Sequence, residues 1–432
     1  MLDHMIETGT VIFENAWRSR APIRARLGAR RSDFFPGGRE AEAGVMNPER
    51  ASADGSAAVL ALEALQTPCL VLDTARMDAN IARMRSQLDR LGVAFRPHVK
   101  TAKSIEIARR MMGGVFGPAT VSTLKEAQQL GAAGVRDILY AVGIAASKLE
   151  RVATMRRSGI DLSVILDSLE QARAVCAASR SSPIPALIEI DCDGQRAGLQ
   201  PEDPRVVEIA RALHAGGAEL RGVMTHAGGS YDCPGATALA KMAEQERVAV
   251  VTAAEGIRGA SLPCPVVSVG STPTALHARD LSAVTEVRAG VFVFFDLVMA
   301  GLGVCRVEDI AISVLATVTG HQREKGWTFV DAGWLAMSRD RGTSQQRIDQ
   351  GYGLVCDVHG VPFGNLLLAG VNQEHGILRL REGVRTTPPQ LPVGTLVRIL
   401  PNHACATAAQ FEEYQVVEGS GVVSRWPRFR GW

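Results

Sequence analysis

From residue 67 onward one pattern recurs: a short apolar run, a polar turn, then a stretch with apolar positions at helical spacing. "TPCLVLD" precedes "TARMDANIARMRSQLDRLG", "VAFRPHVK" precedes "SIEIARRMMGG", "PATVST" precedes "LKEAQQLGAAG", and "DILYAVG" precedes "ASKLERVATMRRSG". "LSVILDS", "IPALIEID", "AELRGVMTHAG", "CPVVSVGSTPT" and "EVRAGVFVFFD" extend the series. Parallel strands need a long crossover between them, and a helix is the usual one, so the alternation predicts βαβ units and a parallel sheet. Roughly seven or eight such units over about 230 residues is the repeat count of an α/β (β/α)8, TIM-like barrel. A doubly wound open sheet is the alternative, but no G-x-G-x-x-G follows the first strand.

After about residue 308 the pattern changes. "IAISVLATVTGHQ", "GWTFVDAGW", "GYGLVCD", "NLLLAGVNQEHGILRL", "TLVRILPNHACAT" and "YQVVEG" are short strand-like runs separated by turns, which predicts a mostly antiparallel C-terminal β domain. A length of 432 residues fits more than one domain. The expected division is a disordered extension at 1–57, the barrel at 58–308 and the β domain at 309–432, with a strand at about 63–73 as a candidate to join the last. The extension contains "RSRAPIRARLGARRSDFFPGGREAEAG", which has neither clear periodicity nor the apolar core of a secretory signal, and Met46 is an alternative start.

Formal net charge is +2, from 47 basic and 45 acidic residues, so nothing favours a nucleic acid partner. No window offers the roughly 20 apolar residues of a membrane span. The eight cysteines form no C-x-x-C pair, which suits reduced thiols in a cytoplasmic protein.

In a barrel the strand ends that carry chemistry lie on one rim. "VAFRPHVK" brings His98 and Lys100 there, "IEIDCDGQR" brings Arg196, and "VMTHAGGSY" brings His226 and Tyr231. Lys100 is either an imine-forming amine, desolvated by apolar neighbours, or an ordinary rim lysine. "SVGSTPT", with Gly270, Ser271 and Thr272, is either a phosphate cradle of exposed backbone N–H groups or a plain turn. Arg196 is suited to hydrogen-bond an unprotonated pyridine nitrogen, or simply to pair with a nearby acid. In "PNHACAT", His403 and Cys405 offer an imidazole and a thiolate, a zinc-binding pair with positions left for water and substrate. The competing reading is a buried cysteine beside a satisfied histidine. Glu374 and His375 of "NQEHG" are candidates to line the same space or to orient those ligands.

"TPCLVLD", "RPHVKTAK", "EIDCDGQRAG", "THAGGSY", "SVGSTPT", "EVRAGVFVFFD", "DAGW", "QEHG" and "LPNHACAT" occur in an order that resembles the fold-type III pyridoxal 5′-phosphate enzymes, the alanine racemase-like family. The resemblance runs from about residue 63 to the C-terminus and lies in the branch of the D-serine dehydratases and D-threonine aldolases. It implies a Schiff base at Lys100 and Arg196 on the pyridine nitrogen. It implies a phosphate site at Gly270, Ser271 and Thr272, helped by 288–292, and further cofactor contacts from His98, His226 and Tyr231. It implies zinc, or another divalent metal, on His403 and Cys405. The His-x-Cys form is that of the dehydratases, whereas aldolases of the family carry His-x-Asp. The expected activity is therefore elimination of water from a 3-hydroxy D-amino acid, D-threo-3-hydroxyaspartate or D-serine, by a cytoplasmic homodimer; a second substrate carboxylate would need a cation, for which Arg339 and Arg341 are candidates unless their loop is simply solvated. An aldolase and a non-catalytic cofactor-binding protein are the alternatives.

Overall fold

The computed structural model describes residues 60–432 apart from 115 and 420. The expected N-terminal extension lies outside these residues.

Eight parallel strands follow one another in chain order around one sheet: Ala94–Phe95, Ala119–Val121, Asp137–Gly143, Asp161–Leu166, Pro185–Ile190, Glu219–Thr225, Val266–Val269 and Glu286–Val287. The last pairs back onto the first, with Glu286 opposite Ala94. A bridge between His98 and Thr120 joins the first to the second, so the sheet closes into a barrel. The first strand is shorter than its apolar run because Pro97 has no N–H to donate. Its neighbours keep the pairing: the Arg96 and His98 N–H groups donate to the carbonyls of Val287 and Ala289.

Helices cover the outside. Thr74–Arg90 begins where the Asp73 carboxylate accepts the Arg76 N–H, an N-cap. It buries Met77, Ile81, Met84 and Leu88, spaced four, three and four residues apart, so they form one stripe. Each such side chain contributes about 1.5–3 kcal/mol when fully removed from water.

A second sheet contains ten strands. Ile312–Gln322, Trp327–Val330, Gly376–Leu380, Pro362–Val371, Gly353–Cys356 and Leu396–Pro401 pair in that order, and Leu396–Pro401 returns to Ile312–Gln322, closing an antiparallel ring. Strand Cys69–Asp73 joins this sheet from the far end of the sequence, between Ile312–Gln322 and Glu413–Glu418. Backbone bonds tie the two parts: the Asp73 N–H donates to the Ala311 carbonyl, and the Ala311 N–H donates to the Phe294 carbonyl, each at 2.8 Å. The β domain thereby holds its 396–408 segment over the C-terminal ends of the barrel strands. Among the described residues no helix is long and apolar enough to cross a membrane.

Candidate active site

That overlap encloses a cavity of about 380 Å³, within the roughly 300–1,000 Å³ of small-molecule sites. Every rim residue expected from the sequence lines it: His98, Lys100, Arg196, His226 and Tyr231 from the barrel, and His403 and Cys405 from the β domain. The Gly270 to Thr272 loop forms part of its wall.

Lys100 sits in a tight turn in which the Lys103 N–H donates to the Val99 carbonyl at 2.8 Å. Val99 and Ala102 are fully buried, so the turn is anchored on both sides of the lysine. Burial holds the Lys100 amine below its ordinary range; Cys405 opposes the shift, and the nearby Arg196 and Arg288 cations reinforce it. The same burial, together with the charge of Lys100, keeps the His98 imidazole neutral. The His98 ring lies between the Lys100 N–H at 3.4 Å and the Ser122 hydroxyl at 3.3 Å.

His226 donates from Nδ1 to the Gly270 carbonyl, which fixes the tautomer, because a carbonyl only accepts. Its Nε2 is then an acceptor, buried and without a partner. Burial pushes the ring's pKa down to about 3, so it stays uncharged. The Gly270 backbone passes so close to the next strand that a Cβ there would lie 1.9 Å from the Arg288 carbonyl oxygen. One oxygen of the buried Glu246 accepts the N–H groups of both Ala227 and Gly270 at 3.0 Å, binding the two loops together. Ser271 caps the Thr272–His277 helix in a capping box with Thr274. Arg288 is 4% exposed and spans the barrel top, donating to the Ser268 hydroxyl at 2.8 Å and to the Thr225 carbonyl.

On the opposite wall, His403 donates from Nδ1 to the Asp340 carboxylate at 2.9 Å, which directs its other nitrogen towards Cys405. Asp340 and Cys405 together hold the imidazole as a cation, up to about 11. Burial works to raise the Cys405 thiol, but the hydrogen bond and charge of His403 override it and leave the thiol below its ordinary value. Thr101 touches the same sulfur, at 3.2 Å. The buried Asp296 accepts from the Met299 and Ala404 N–H groups, capping two short helices at once, and burial lifts its carboxyl to about 6. Among the described residues no cluster of three or more His, Cys, Asp or Glu side chains is arranged around one metal position. The imidazole–thiol pair is a two-donor set facing the cavity.

Four other residues do not meet expectation. Arg339 lies over the Trp334 ring and Arg341 pairs with Asp349 at 2.6 Å, and neither lines the cavity. Glu374 and His375 sit on an exposed turn away from its walls. The acid that orients His403 is Asp340, lying between the two arginines. Asp340, Glu246 and Asp296 were not singled out from the sequence; Arg288 entered only as the first residue of the 288–292 segment, and Asp296 only as the last residue of the quoted "EVRAGVFVFFD" run.

A model of the alanine racemase N-terminal domain matches residues 72–298. The chain belongs to the alanine racemase-like family of fold-type III pyridoxal-phosphate enzymes. Within that family it carries a serine dehydratase domain, matched over residues 311–417. D-threo-3-hydroxyaspartate dehydratase of Delftia sp. (strain HT23) is 53% identical over 373 residues, spanning 85% of this chain and 98% of that protein. D-serine dehydratase of Dictyostelium discoideum is 28% identical, over 83% of this chain and 95% of that one. A single-residue variant of D-threo-3-hydroxyaspartate dehydratase, solved in a metal-free form, matches with a TM-score of 0.84 at 52% identity, covering 86% of this chain and 100% of that chain.

Proposed function

We propose that this protein is a pyridoxal-phosphate- and zinc-dependent dehydratase. It eliminates water from a 3-hydroxy D-amino acid, with D-threo-3-hydroxyaspartate as the leading substrate, and releases a 2-oxo acid and ammonia. The observation that carries this reading is the meeting, in one cavity, of a desolvated lysine and an imidazole–thiol pair, in a chain 53% identical to a dehydratase of that substrate.

The residues present fit both groups. A neutral His226 with an unpartnered nitrogen, a glycine loop that a side chain would obstruct, and the basic side chains of Lys100, Arg196 and Arg288 suit an anionic heteroaromatic cofactor. Lys100 would hold its aldehyde, Arg196 its ring nitrogen, and the 270–272 and 288–292 segments its phosphate, with His98, His226 and Tyr231 against the remainder. Thiolate and imidazole are ligands that suit zinc. When bound, pyridoxal phosphate would supply an electron sink for loss of the α-proton, and zinc on His403 and Cys405 a positive charge opposite the departing hydroxide.

The chain's own part is proton handling and positioning. Lys100 is lowered by burial and so carries a free amine at neutral pH more readily than an exposed lysine, which suits it to take the α-proton as general base. A guanidinium is a donor only, so a nitrogen facing Arg196 accepts a hydrogen bond and stays neutral. Asp340 accepts the Nδ1 proton of His403, so the nitrogen left to ligate a metal, once the ring gives up its second proton, is Nε2. The 3-hydroxyl leaves as water, and hydrolysis of the unsaturated amine gives the 2-oxo acid and ammonia. A cytoplasmic homodimer is part of the same proposal.

The test is a product assay on protein loaded with both groups. D-serine, D-threonine and D-threo-3-hydroxyaspartate are supplied with and without a chelator, and 2-oxo acid, ammonia and aldehyde are measured. The expected outcome is chelator-sensitive 2-oxo acid and ammonia from hydroxyaspartate. Glycine with an aldehyde (from hydroxyaspartate this is glyoxylate, itself a 2-oxo acid) and no ammonia would replace the dehydratase by an aldolase.

A further inference from the structure

The last strands of the chain grip the Lys100 turn from behind. The Ala102 carbonyl accepts from the Tyr414 hydroxyl at 2.6 Å and from Arg428 Nε at 3.2 Å, and the Lys103 carbonyl accepts from the Phe429 N–H at 2.8 Å. Arg428 Nε also reaches the Tyr414 oxygen at 2.9 Å. The other end of the same guanidinium, Nη1, donates to the carbonyls of Ala408 and Phe411, where the Ala404–Ala408 helix that carries Cys405 ends. One side chain therefore binds the backbone behind Lys100 and the backbone behind Cys405. In front of it the Thr101 hydroxyl lies 3.2 Å from the Cys405 sulfur.

Arg428 is 8% exposed, lies outside the cavity wall and forms no ion pair among the described residues. A buried cation without an acid is costly, and an apolar residue would fill such a space at less cost if packing were all that mattered. A guanidinium brings a rigid planar fork that a lysine or an alkyl chain lacks. We propose that Arg428, with Tyr414, is a positioning residue that sets the separation between Lys100 and the Cys405-bearing helix. The inference rests on the functional reading above for what that separation accomplishes, and on geometry alone for the link itself.

Arg428→Lys and Tyr414→Phe are compared with wild type, all loaded with pyridoxal phosphate and zinc and assayed well below their melting midpoints. Arg428→Lys is expected to lower kcat by about 100-fold, the effect of roughly 1 Å of misplacement at a reacting centre. KM should stay near the wild-type value. Tyr414→Phe loses one hydrogen bond and keeps the fold, for a fall of roughly 3–10-fold. A second readout does not use turnover. In wild type, zinc added to the cofactor-loaded, metal-stripped protein should shift the visible circular dichroism of the cofactor, and in Arg428→Lys that shift should shrink or vanish. Wild-type kcat and a wild-type zinc response in both variants would overturn the proposal, as would losses of kcat that follow only the melting midpoint. If Arg428→Lys does not fold, Tyr414→Phe decides alone. A wild-type protein that shows the zinc response but turns over none of the three D-amino acids would refute the functional reading and leave the link standing.

Discussion

Asp340→Asn is a sharp test of the metal half of the site, because the replacement keeps the shape of the side chain and changes only its charge and its hydrogen-bond role. In wild type one Asp340 oxygen accepts from His403 Nδ1 at 2.9 Å and the other from the Gly342 N–H at 2.7 Å. Both oxygens are acceptors, so both partners are satisfied. An asparagine has one acceptor and one NH2. If its oxygen stays on Gly342, the NH2 faces His403 and can only donate, which drives the histidine proton onto Nε2, the nitrogen required for the metal. If the amide flips, the Gly342 N–H loses its acceptor and the loop loosens. Loss of an outer-shell partner of this kind typically lowers metal affinity 10–100-fold, or about 1.4–2.7 kcal/mol. His403 and Asp340 side chains are 45% and 28% exposed, so water can replace part of the lost bond and the lower half of that range is expected. The assay is zinc competition against a chromogenic chelator on cofactor-loaded protein, with the melting midpoint as a check on folding. A folded Asp340→Asn protein that holds zinc as tightly as wild type would refute the assignment of Asp340 as the residue orienting His403, and would cast doubt on His403 as a ligand.

Three further outcomes are expected. Lys100→Ala should lose the visible band of covalently held cofactor and roughly 10³-fold or more of turnover, as befits loss of both an attachment point and a general base; a band unchanged in the variant would reassign the lysine. Cys405→Ala should keep that band while zinc content and turnover fall together, measured by elemental analysis and the product assay. Glu189 is pushed up to about 7 from an ordinary 4.5, chiefly by burial and then by Asp167. Its carboxyl therefore favours the fold while protonated, a contribution fully present below about pH 4.5 and lost as pH rises through about 7. Glu189→Gln should then melt at a higher temperature than wild type at pH 8, by at most about 3 kcal/mol of stability, with the gap closing below pH 5; equal melting at pH 8 would contradict the burial argument.

The barrel was legible because each of its crossovers writes the same apolar rhythm, and its rim was legible because chemistry-bearing side chains follow strand ends. Lys100, Arg196, His226, Gly270, His403 and Cys405 could be read in this way, since each lies within a few residues of the strand that presents it. The supporting residues could not. Glu246 lies in the middle of the long Ala236–Gly259 helix, where an acid beside Glu244 and Arg247 looks like any solvated residue, and it matters only because that helix brings it under two loops. Asp340 sits in a charged turn between Arg339 and Arg341, and charge alone suggested that the arginines were the functional members. Their guanidiniums are instead taken up by Trp334, Tyr352 and Asp349, contacts that depend on how the turn folds back.

These supporting contacts share one feature that explains why the site needs both ends of the chain. The barrel rim supplies Lys100 on a turn whose carbonyls point outward, and such a turn is held only as firmly as its acceptors are met. The strands Glu413–Glu418 and Gly421–Pro427 bring Tyr414 and Arg428 to meet them, and they can do so because strand Cys69–Asp73 pairs in parallel with Glu413–Glu418 just before the chain enters the barrel. Asp296 does the corresponding work from the barrel side, accepting the Ala404 N–H and so fixing the start of the helix whose end Arg428 holds. The Cys405 helix is thus pinned at one end by a barrel carboxylate and at the other by a C-terminal guanidinium. A helix of five residues has too few internal hydrogen bonds to keep its own orientation, so where Cys405 stands relative to Lys100 depends on those two pins, together with the Thr407 hydroxyl bond to the Met337 carbonyl and the burial of Ala404 and Ala408.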